Sequence, residues 1–242
     1  MPRAARGQSA ALAALTDEIV ECRACPRLVE WRERVAREKR AAFRDDPYWG
    51  RPVPGFGDPG ARLLVAGLAP AAHGGNRTGR IFTGDRSGDW LFGSLYRNGY
   101  ANQPTSVRAD DGLELNDAYV AAAVRCAPPA NKPNPAERDR CLPYLVRELD
   151  LLERVRVIVV LGQFAYDATA RVLAASGSPL PTPRPRFGHG VEAESERALV
   201  LCCYHPSQQN TFTGKLTESM LDAVFARART ESASASPRRP AR

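Results

Sequence analysis

The 242-residue chain has no apolar run long enough to cross a membrane, and no apolar signal core follows its first residues. We therefore expect a cytoplasmic protein with no membrane partner. No internal repeat is visible, which argues against a solenoid or a propeller. The length suits one domain, which we place at residues 1–229, and it leaves room for only short appendages.

Lysine is scarce, although the chain is basic. Only Lys39, Lys132 and Lys215 occur among 34 Lys and Arg residues, so nearly all of the positive charge behind the net charge of +7 is arginine. The planar guanidinium group donates two parallel hydrogen bonds to a phosphate. The surplus favours a polyanionic partner such as nucleic acid, although a solvated, arginine-rich surface would give the same composition.

The chain has six cysteines. We do not expect them to form disulfides, because cytoplasmic proteins rarely carry disulfides. Cys22 and Cys25 form a C-x-x-C pair, and Cys126 and Cys141 lie far downstream. Four thiolates fit either a structural zinc ion or an iron–sulfur cluster, and the wide second pair favours the cluster. Alternatively, the downstream pair consists of buried core thiols. Residues 202–203, two cysteines in an apolar run, should place at least one side chain in the core.

Short apolar runs alternate with segments of helical periodicity. The N-terminal part, about residues 9–40, has helical spacing interrupted at residues 25–26. Strands are predicted at residues 62–67, 118–125, 155–161 and 198–204. Further helices are predicted at residues 87–98, 135–152, 163–175 and 213–228. This alternation favours a parallel sheet with helical crossovers, and the Ser-, Ala-, Pro- and Arg-rich residues 230–242 are predicted to be a disordered tail.

Each predicted strand runs directly into a loop of small or polar residues. These loops are residues 67–76, 126–131, 162–163 and 205–210. In an open parallel sheet, ligands bind outside the carboxyl ends of the strands. We therefore expect the four loops to meet at one edge and to form the functional site there.

Three side chains near these loops have a functional and a structural interpretation. Asp85 is either a carboxylate that acts on a ligand or the N-cap of the helix that follows. Phe82 is either a stacking surface for a flat base or a core residue. His205 either donates a hydrogen bond into a pocket or is a surface or capping residue.

Several blocks together resemble the uracil-DNA glycosylase superfamily, and most of all its family 5, the iron–sulfur-containing b type. Residues 67–80 read GLAPAAHGGNRTGR, residues 82–85 FTGD, residues 124–133 VRCAPPANKP, residues 205–207 HPS and residues 209–211 QNT. The cysteine spacing and residues 46–59 agree with the resemblance, which extends from about residue 22 to residue 228.

The resemblance implies a three-layer α/β/α sandwich around a four-stranded parallel sheet. It implies a DNA repair glycosylase that hydrolyses the N-glycosidic bond of uracil and other deaminated bases, such as hypoxanthine and xanthine, in double-stranded DNA and leaves an abasic site. We expect a monomer with a structural 4Fe-4S cluster bound by an N-terminal helical segment and the sheet. The implied cluster ligands are Cys22, Cys25, Cys126 and Cys141.

The resemblance also assigns roles to side chains. Asp85 is implied to position the attacking water, Asn131 to help at the catalytic edge, and His205 to stabilise the departing base. The residues expected to line the base pocket are Gly67, Ala69, Ala71, His73 and Phe82. Weaker candidates for phosphate contacts are Arg77, Arg80 and Ser207.

The chain departs from the related a-type enzymes at two places. Residues 71–73 are Ala-Ala-His where those enzymes carry a polar, acidic motif, and Ala122 replaces an asparagine four residues before the third cysteine. The second difference argues against strict selectivity for uracil. Two other functions stay open on the residues alone: an iron–sulfur module that recognises damaged DNA without cutting it, and a hydrolase of free nucleotides on the same kind of sheet.

Overall fold

The computed structural model describes the backbone of residues 3–234 and the side chains of residues 9–233. Two 3₁₀ turns, Ala41–Phe43 and Pro129–Asn131, lie between the regular elements. The helices are α1 (Arg3–Val20), α2 (Pro26–Glu38), α3 (Gly75–Thr78), α4 (Arg86–Arg97), α5 (Pro135–Leu151), α6 (Gln163–Ala175), α7 (Gln208–Phe212) and α8 (Glu218–Ser234). The strands are β1 (Phe56–Gly57), β2 (Leu63–Gly67), β3 (Ala118–Ala122), β4 (Val157–Leu161), β5 (Glu192–Glu194) and β6 (Leu199–Cys203).

The sheet has the strand order β1-β3-β2-β4-β6-β5. The four central strands are parallel, and the two edge strands pair antiparallel. Every residue of the central strands is buried, which explains why they read as continuous apolar runs rather than as alternating patterns. The four-stranded parallel centre is confirmed, and the sheet has two further edge strands that were not predicted, because the two-residue β1 and the charged β5 lack a strand pattern.

Helices cover both faces of the sheet, which confirms the three-layer α/β/α architecture. α4 and α8 pack together, and α8 lies on β4 and β6. α5 contacts both α1 and α6, and α6 lies on β2 and β4. One apolar cluster fills each side of the sheet, and the two predicted core cysteines are divided between them, with Cys203 on one side and Cys202 on the other.

The C-terminal helix differs from the prediction. The segment predicted as one helix at residues 213–228 is shifted, because α7 ends at Phe212 and α8 begins only at Glu218. α8 continues to Ser234, so the first part of the predicted disordered tail, residues 230–234, is helical. Its end is anchored because Ser232 is buried and its carbonyl accepts a hydrogen bond from Arg62 at 2.9 Å. Residues 235–242 of that prediction lie outside the described residues.

Helix starts follow the capping signals of the sequence. The Asn134 side chain accepts a hydrogen bond from the Glu137 amide at 2.8 Å, and the Glu137 carboxylate accepts one from the Asn134 amide at 2.8 Å, so that the two residues form a capping box at the start of α5. Within the described residues, no helix is both long and apolar enough to span a membrane.

Candidate active site and cysteine cluster

The loops that follow the central strands lie side by side at one edge of the sheet. Beyond the ends of the strands, the amide of Ala123 donates to the carbonyl of Gly67 at 2.9 Å, and the amide of Gly162 donates to the carbonyl of Cys203 at 2.8 Å. β2 pairs with β3 on one side and β4 on the other, so the chain reverses direction across the sheet at β2. Such a switch point is where open α/β sheets bind ligands, and the glycine-rich loop after β2 lies there.

Phe82 and His205 face each other across this edge. Their ring centroids are 5.9 Å apart, with an interplanar angle of 33°. The Phe82 ring lies directly over Gly67, where a Cβ atom would come within 2.7 Å of the ring. Phe82 has a φ of 52°, an uncommon conformation for an aromatic residue. The core interpretation is therefore confirmed, since only 5% of Phe82 is exposed, and its stacking role stays a prediction.

Asp85 is the N-cap of α4 and also faces the glycine-rich loop. One carboxylate oxygen, Oδ1, accepts the amide hydrogen of Gly88 at 3.0 Å, which confirms the capping interpretation. The other, Oδ2, lies against Gly74 so closely that a Cβ atom there would collide with it. Burial raises the pKa of Asp85. Capping thus uses one oxygen and leaves a second oxygen directed at the loop.

His205 lies deep in the molecule and keeps partial solvent exposure. Its carbonyl accepts hydrogen bonds from the Ser207 amide at 2.7 Å and from the Asn210 side chain at 2.8 Å, and these bonds fix the loop after β6. Among the described residues, no hydrogen bond occupies its imidazole ring. Burial lowers the pKa of His205 to about 4, so the ring is neutral near pH 7 and carries one free N–H donor.

The other predicted pocket residues differ in how they are placed. The His73 ring nitrogen Nδ1 shares a hydrogen bond with the Tyr48 hydroxyl at 2.9 Å, and burial lowers the pKa of His73. Ala69 and Ala71 are partly exposed along the same loop. Asn131 is exposed, with a φ of 54° at the end of its 3₁₀ turn. Within the described part of the chain, its side chain makes no hydrogen bond, so the structure does not tie it to the other catalytic candidates.

Two predicted phosphate contacts are wrong. Arg77 is buried and binds Asp46 at 2.6 Å, and its other donors meet backbone carbonyls of the glycine-rich segment. Arg80 is buried and forms two 2.8 Å bonds with the Asp111 carboxylate. Both guanidinium groups therefore stabilise the loop through hydrogen bonds within the protein. Ser207 is partly exposed and caps α7, which leaves its DNA contact a prediction.

The four cysteines predicted to bind a metal group lie near the start of the glycine-rich loop, where Ala69 packs against them. Cys25, Cys126 and Cys141 are buried and pack together with Leu28, while Cys22 is half-buried. Burial raises the pKa of Cys126 to about 12 and that of Cys141 to about 11. Thiols in this setting stay protonated unless a metal displaces the proton.

Two of these sulfur atoms accept a hydrogen bond, which a purely apolar thiol would not need. The Arg32 guanidinium donates to Cys126 at 2.9 Å and the amide of Arg125 donates to Cys141 at 3.4 Å, while Tyr144 lies near Cys22 and Arg140 near Cys25. In the described residues, no three His, Cys, Asp or Glu side chains converge on one metal-ion position. Hydrogen-bond donors beside sulfur suit thiolates, the form in which cysteine binds metals.

Sequence reasoning missed three residues that shape the site. Gly74 admits the Asp85 carboxylate, Tyr48 holds His73, and Arg32 reaches a cysteine. Gly74 lies in the loop 67–76 that was predicted to form the site, and Arg32 also left a signal in the sequence. Arg32 lies four residues after Leu28 and three before Val35, and so places a charge on the apolar face of α2.

Comparisons with known proteins agree with the sequence motifs. A profile of the uracil DNA glycosylase superfamily matches residues 54–229. The chain is 56% identical over 225 residues to a type-5 uracil-DNA glycosylase of Mycobacterium tuberculosis, which covers 92% of this chain and 82% of the relative. It is 50% identical to the type-5 enzyme of Thermus thermophilus, over 89% of this chain and 96% of the relative. A type-4 enzyme of Archaeoglobus fulgidus is 30% identical, over 64% and 70% of the two chains.

Proposed function

The chain belongs to the uracil-DNA glycosylase superfamily and is a uracil-DNA glycosylase, and we propose that it also removes other deaminated bases from double-stranded DNA. The observation that carries the proposal is the pair of side chains at the glycine-rich loop. Asp85 is a half-buried carboxylate with a raised pKa, and His205 is a neutral imidazole whose ring has no hydrogen-bond partner among the described residues. These two groups match the two charges that develop when an N-glycosidic bond breaks.

In the proposed reaction, the sugar gains positive charge while the departing base gains negative charge. The Asp85 carboxylate stabilises the sugar, orients a water molecule and accepts its proton as the oxygen attacks the anomeric carbon. The bond electrons leave with the base, and the His205 N–H donates to a base oxygen. Solvent then protonates the released base, and an abasic site remains in the DNA.

The base must leave the helical stack before this reaction, and the loop after β2 offers a pocket for it. Phe82 supplies the aromatic face in the proposal, and the backbone of Gly67, Ala69, Ala71 and His73 supplies the walls. Asn131, on the exposed turn after β3, would meet the substrate from the other side. Its side chain is free to do so because no hydrogen bond holds it within the described residues.

We assign a structural 4Fe-4S cluster to Cys22, Cys25, Cys126 and Cys141. When bound, such a cluster supplies a rigid, negatively charged cross-link. These four residues join the turn between α1 and α2 to the end of β3 and to α5. The donors to the Cys126 and Cys141 sulfurs and the unpaired, buried Nε of Arg32 fit that group. The cysteines therefore hold the N-terminal segment against the pocket loop.

The substrate range should be broad, because no side-chain amide projects from position 122. Ala122 is buried and pairs in register with Gly67 beside Phe82, on the same side of the sheet. A site rejects an analogue strongly only where a polar group would be left unpaired. We expect release of uracil, hypoxanthine and xanthine from matched duplexes, with uracil opposite guanine cut well because a mispaired base is easier to flip.

Ala122→Asn provides the matched variant for this prediction. The new amide should sharpen the preference for uracil over hypoxanthine, measured as the ratio of kcat/KM values, by about tenfold, which corresponds to one hydrogen bond of about 1.4 kcal/mol. A wild-type protein that releases uracil and no purine would contradict the broad range. It would also indicate that Asn131 reads the base instead.

We expect Phe212 to raise activity on duplex DNA and to have little effect on single-stranded DNA. It is 65% exposed at the end of α7, just beyond the His205 loop, and the Arg86 guanidinium lies 4.4 Å from its ring centre. An exposed aromatic ring at this edge suits insertion between bases when one is flipped out. Phe212→Ala should lower kcat/KM on duplex by about tenfold, from the loss of about 1.4 kcal/mol of stacking.

Activity on single-stranded DNA should stay nearly unchanged in Phe212→Ala, because no neighbouring pair has to be wedged apart there. Tyr96→Ala is the control, since Tyr96 is 47% exposed but lies in the last turn of α4, away from this edge. Equal losses on both substrates would show that Phe212 is a general DNA contact and not a wedge.

A further inference from the structure

Arg32 is a charged residue on the apolar face of α2. Only 2% of it is exposed, and it ranks among the largest fully enclosed side chains of the described chain. The nearest carboxylate is that of Glu33 at 4.0 Å, and Glu33 is already paired with Arg23 at 2.5 Å. A buried cation is costly unless an opposite charge compensates it. The protein carboxylates supply little of that compensation.

The guanidinium group instead faces the cysteine cluster. Its Nη1 atom donates to the Cys126 sulfur at 2.9 Å, and Nη1 and Nη2 both reach the Cys22 carbonyl at 3.3 Å. The third nitrogen, Nε, is buried and has no protein acceptor among the described residues. All of its hydrogen bonds therefore lie on the side where the proposed cluster binds, and its spare donor suits a further sulfur acceptor there.

The backbone of the same residue faces the base pocket. The Arg32 carbonyl accepts a 3.2 Å hydrogen bond from the side-chain amide of Asn76, which is fully buried in α3. Asn76 lies two residues after Gly74, the residue against which the Asp85 carboxylate packs. A short series of contacts thus joins a cysteine ligand to the catalytic carboxylate through Arg32.

We propose that Arg32 is the positioning residue that neutralises the cysteine-bound cluster and couples it to the pocket loop. This inference rests on the cluster assigned above. Its positive charge stabilises the more negative oxidation level of the cluster, so its removal should lower the reduction potential. Its carbonyl holds α3, so disturbance of α2 should reach Asp85 without any change in the residues that touch DNA.

The test uses the full chain and compares wild type with Arg32→Gln, Arg32→Lys, Asn76→Ala and the control Arg37→Gln. Iron and zinc content, the rate of iron release to a chelator, the reduction potential and uracil release are measured for each protein. Wild type should hold about four irons per chain and no zinc. Arg32→Gln should release iron about 10- to 100-fold faster, the usual effect of losing an outer hydrogen bond to a metal ligand.

The remaining variants separate charge from structure. Arg32→Lys keeps the charge, so its potential should lie near that of wild type although its iron release is faster. Asn76→Ala should keep the wild-type potential and lower uracil release, and it stays informative if Arg32→Gln does not fold. Arg37→Gln removes an exposed charge from the same helix and should change nothing.

Two results would overturn the inference in distinguishable ways. If Arg32→Gln keeps iron and potential as in wild type, the cluster assignment stands and Arg32 has no role in it. If wild type holds zinc or no metal, the cluster assignment fails together with the role of Arg32, while uracil release by the same preparation would still support the glycosylase.

Discussion

Asp85→Asn should lower the rate of uracil release by about 10²-fold or more, the scale for loss of a catalytic base and its charge. The substitution keeps the size of the side chain and removes the negative charge opposite the developing charge on the sugar. Asparagine is an equally good N-cap, so the bond to the Gly88 amide should survive and α4 should form normally. Single-turnover rates at saturating enzyme measure the chemical step directly.

The effect of Asp85→Asn on the melting temperature separates the catalytic role of Asp85 from its role as an N-cap. Burial raises the pKa of Asp85 in the folded protein above its ordinary value. Ionisation therefore opposes folding at every pH above that raised pKa, and the penalty vanishes below the ordinary value. At neutral pH, Asp85→Asn should thus leave the melting temperature unchanged or raise it. A cap lost without replacement would lower it.

The pH dependence of uracil release should also report the ionisation of Asp85. In the proposed reaction Asp85 acts as a carboxylate, so wild-type activity should fall as the pH drops through the raised pKa, at a higher pH than for an ordinary aspartate. That acidic limb should be missing in Asp85→Asn. Asp17→Asn serves as the control, since Asp17 is an exposed carboxylate on α1 and does not contribute to the raised pKa of Asp85. Full activity of Asp85→Asn would leave Asp85 with capping alone.

The central sheet could be predicted because burial on both faces leaves a simple pattern. Each parallel strand is an unbroken apolar run, and the predicted ends lie within three residues of those observed. The edge strands could not be found in this way. β1 is two residues long, and in β5 only the middle residue is buried. They form because a neighbouring strand offers free hydrogen-bonding groups, which is information from the fold and not from the local sequence.

The roles of two arginines could not be predicted from the sequence. Arg77 and Arg80 stand in a glycine-rich loop at a predicted DNA edge, a position typical of phosphate contacts. Both are instead paired with Asp46 and Asp111, which lie some thirty positions away along the chain. No local pattern distinguishes a guanidinium that binds phosphate from one that braces a loop, because the distinction depends on distant partners.

The positions of the catalytic candidates could be predicted in part, less well than the central strands and better than the partners of the arginines. The rule that ligands bind at the carboxyl ends of parallel strands placed Asp85, Phe82 and His205 at one edge, and the contact between Phe82 and His205 agrees with it. The rule does not fix side-chain orientation. Asn131 lies on the expected loop, yet it is solvent-exposed and no hydrogen bond links its side chain to Asp85 or His205 within the described residues.

His205→Ala should reduce the chemical step by about 10²- to 10³-fold, the effect of removing one preorganised donor to a developing anion. The imidazole is well suited to this role because burial lowers its pKa to about 4 and no described protein group competes for its N–H. A neutral ring donates a hydrogen bond without bringing a full charge into the pocket. Wild-type activity should therefore show no titration of His205 between pH 6 and 8, near the usual histidine pKa of about 6.5.

A second variant distinguishes hydrogen bonding from packing against Phe82. His205→Gln keeps an N–H donor of similar reach and should recover part of the rate, whereas His205→Ala should not. Binding to undamaged duplex, measured across a range of salt concentrations, should keep the same slope in both variants, since that slope counts phosphate contacts. If binding and catalysis fall together and the slope becomes shallower, His205 contacts the DNA backbone, and the negative charge on the departing base must be stabilised by another donor at this edge.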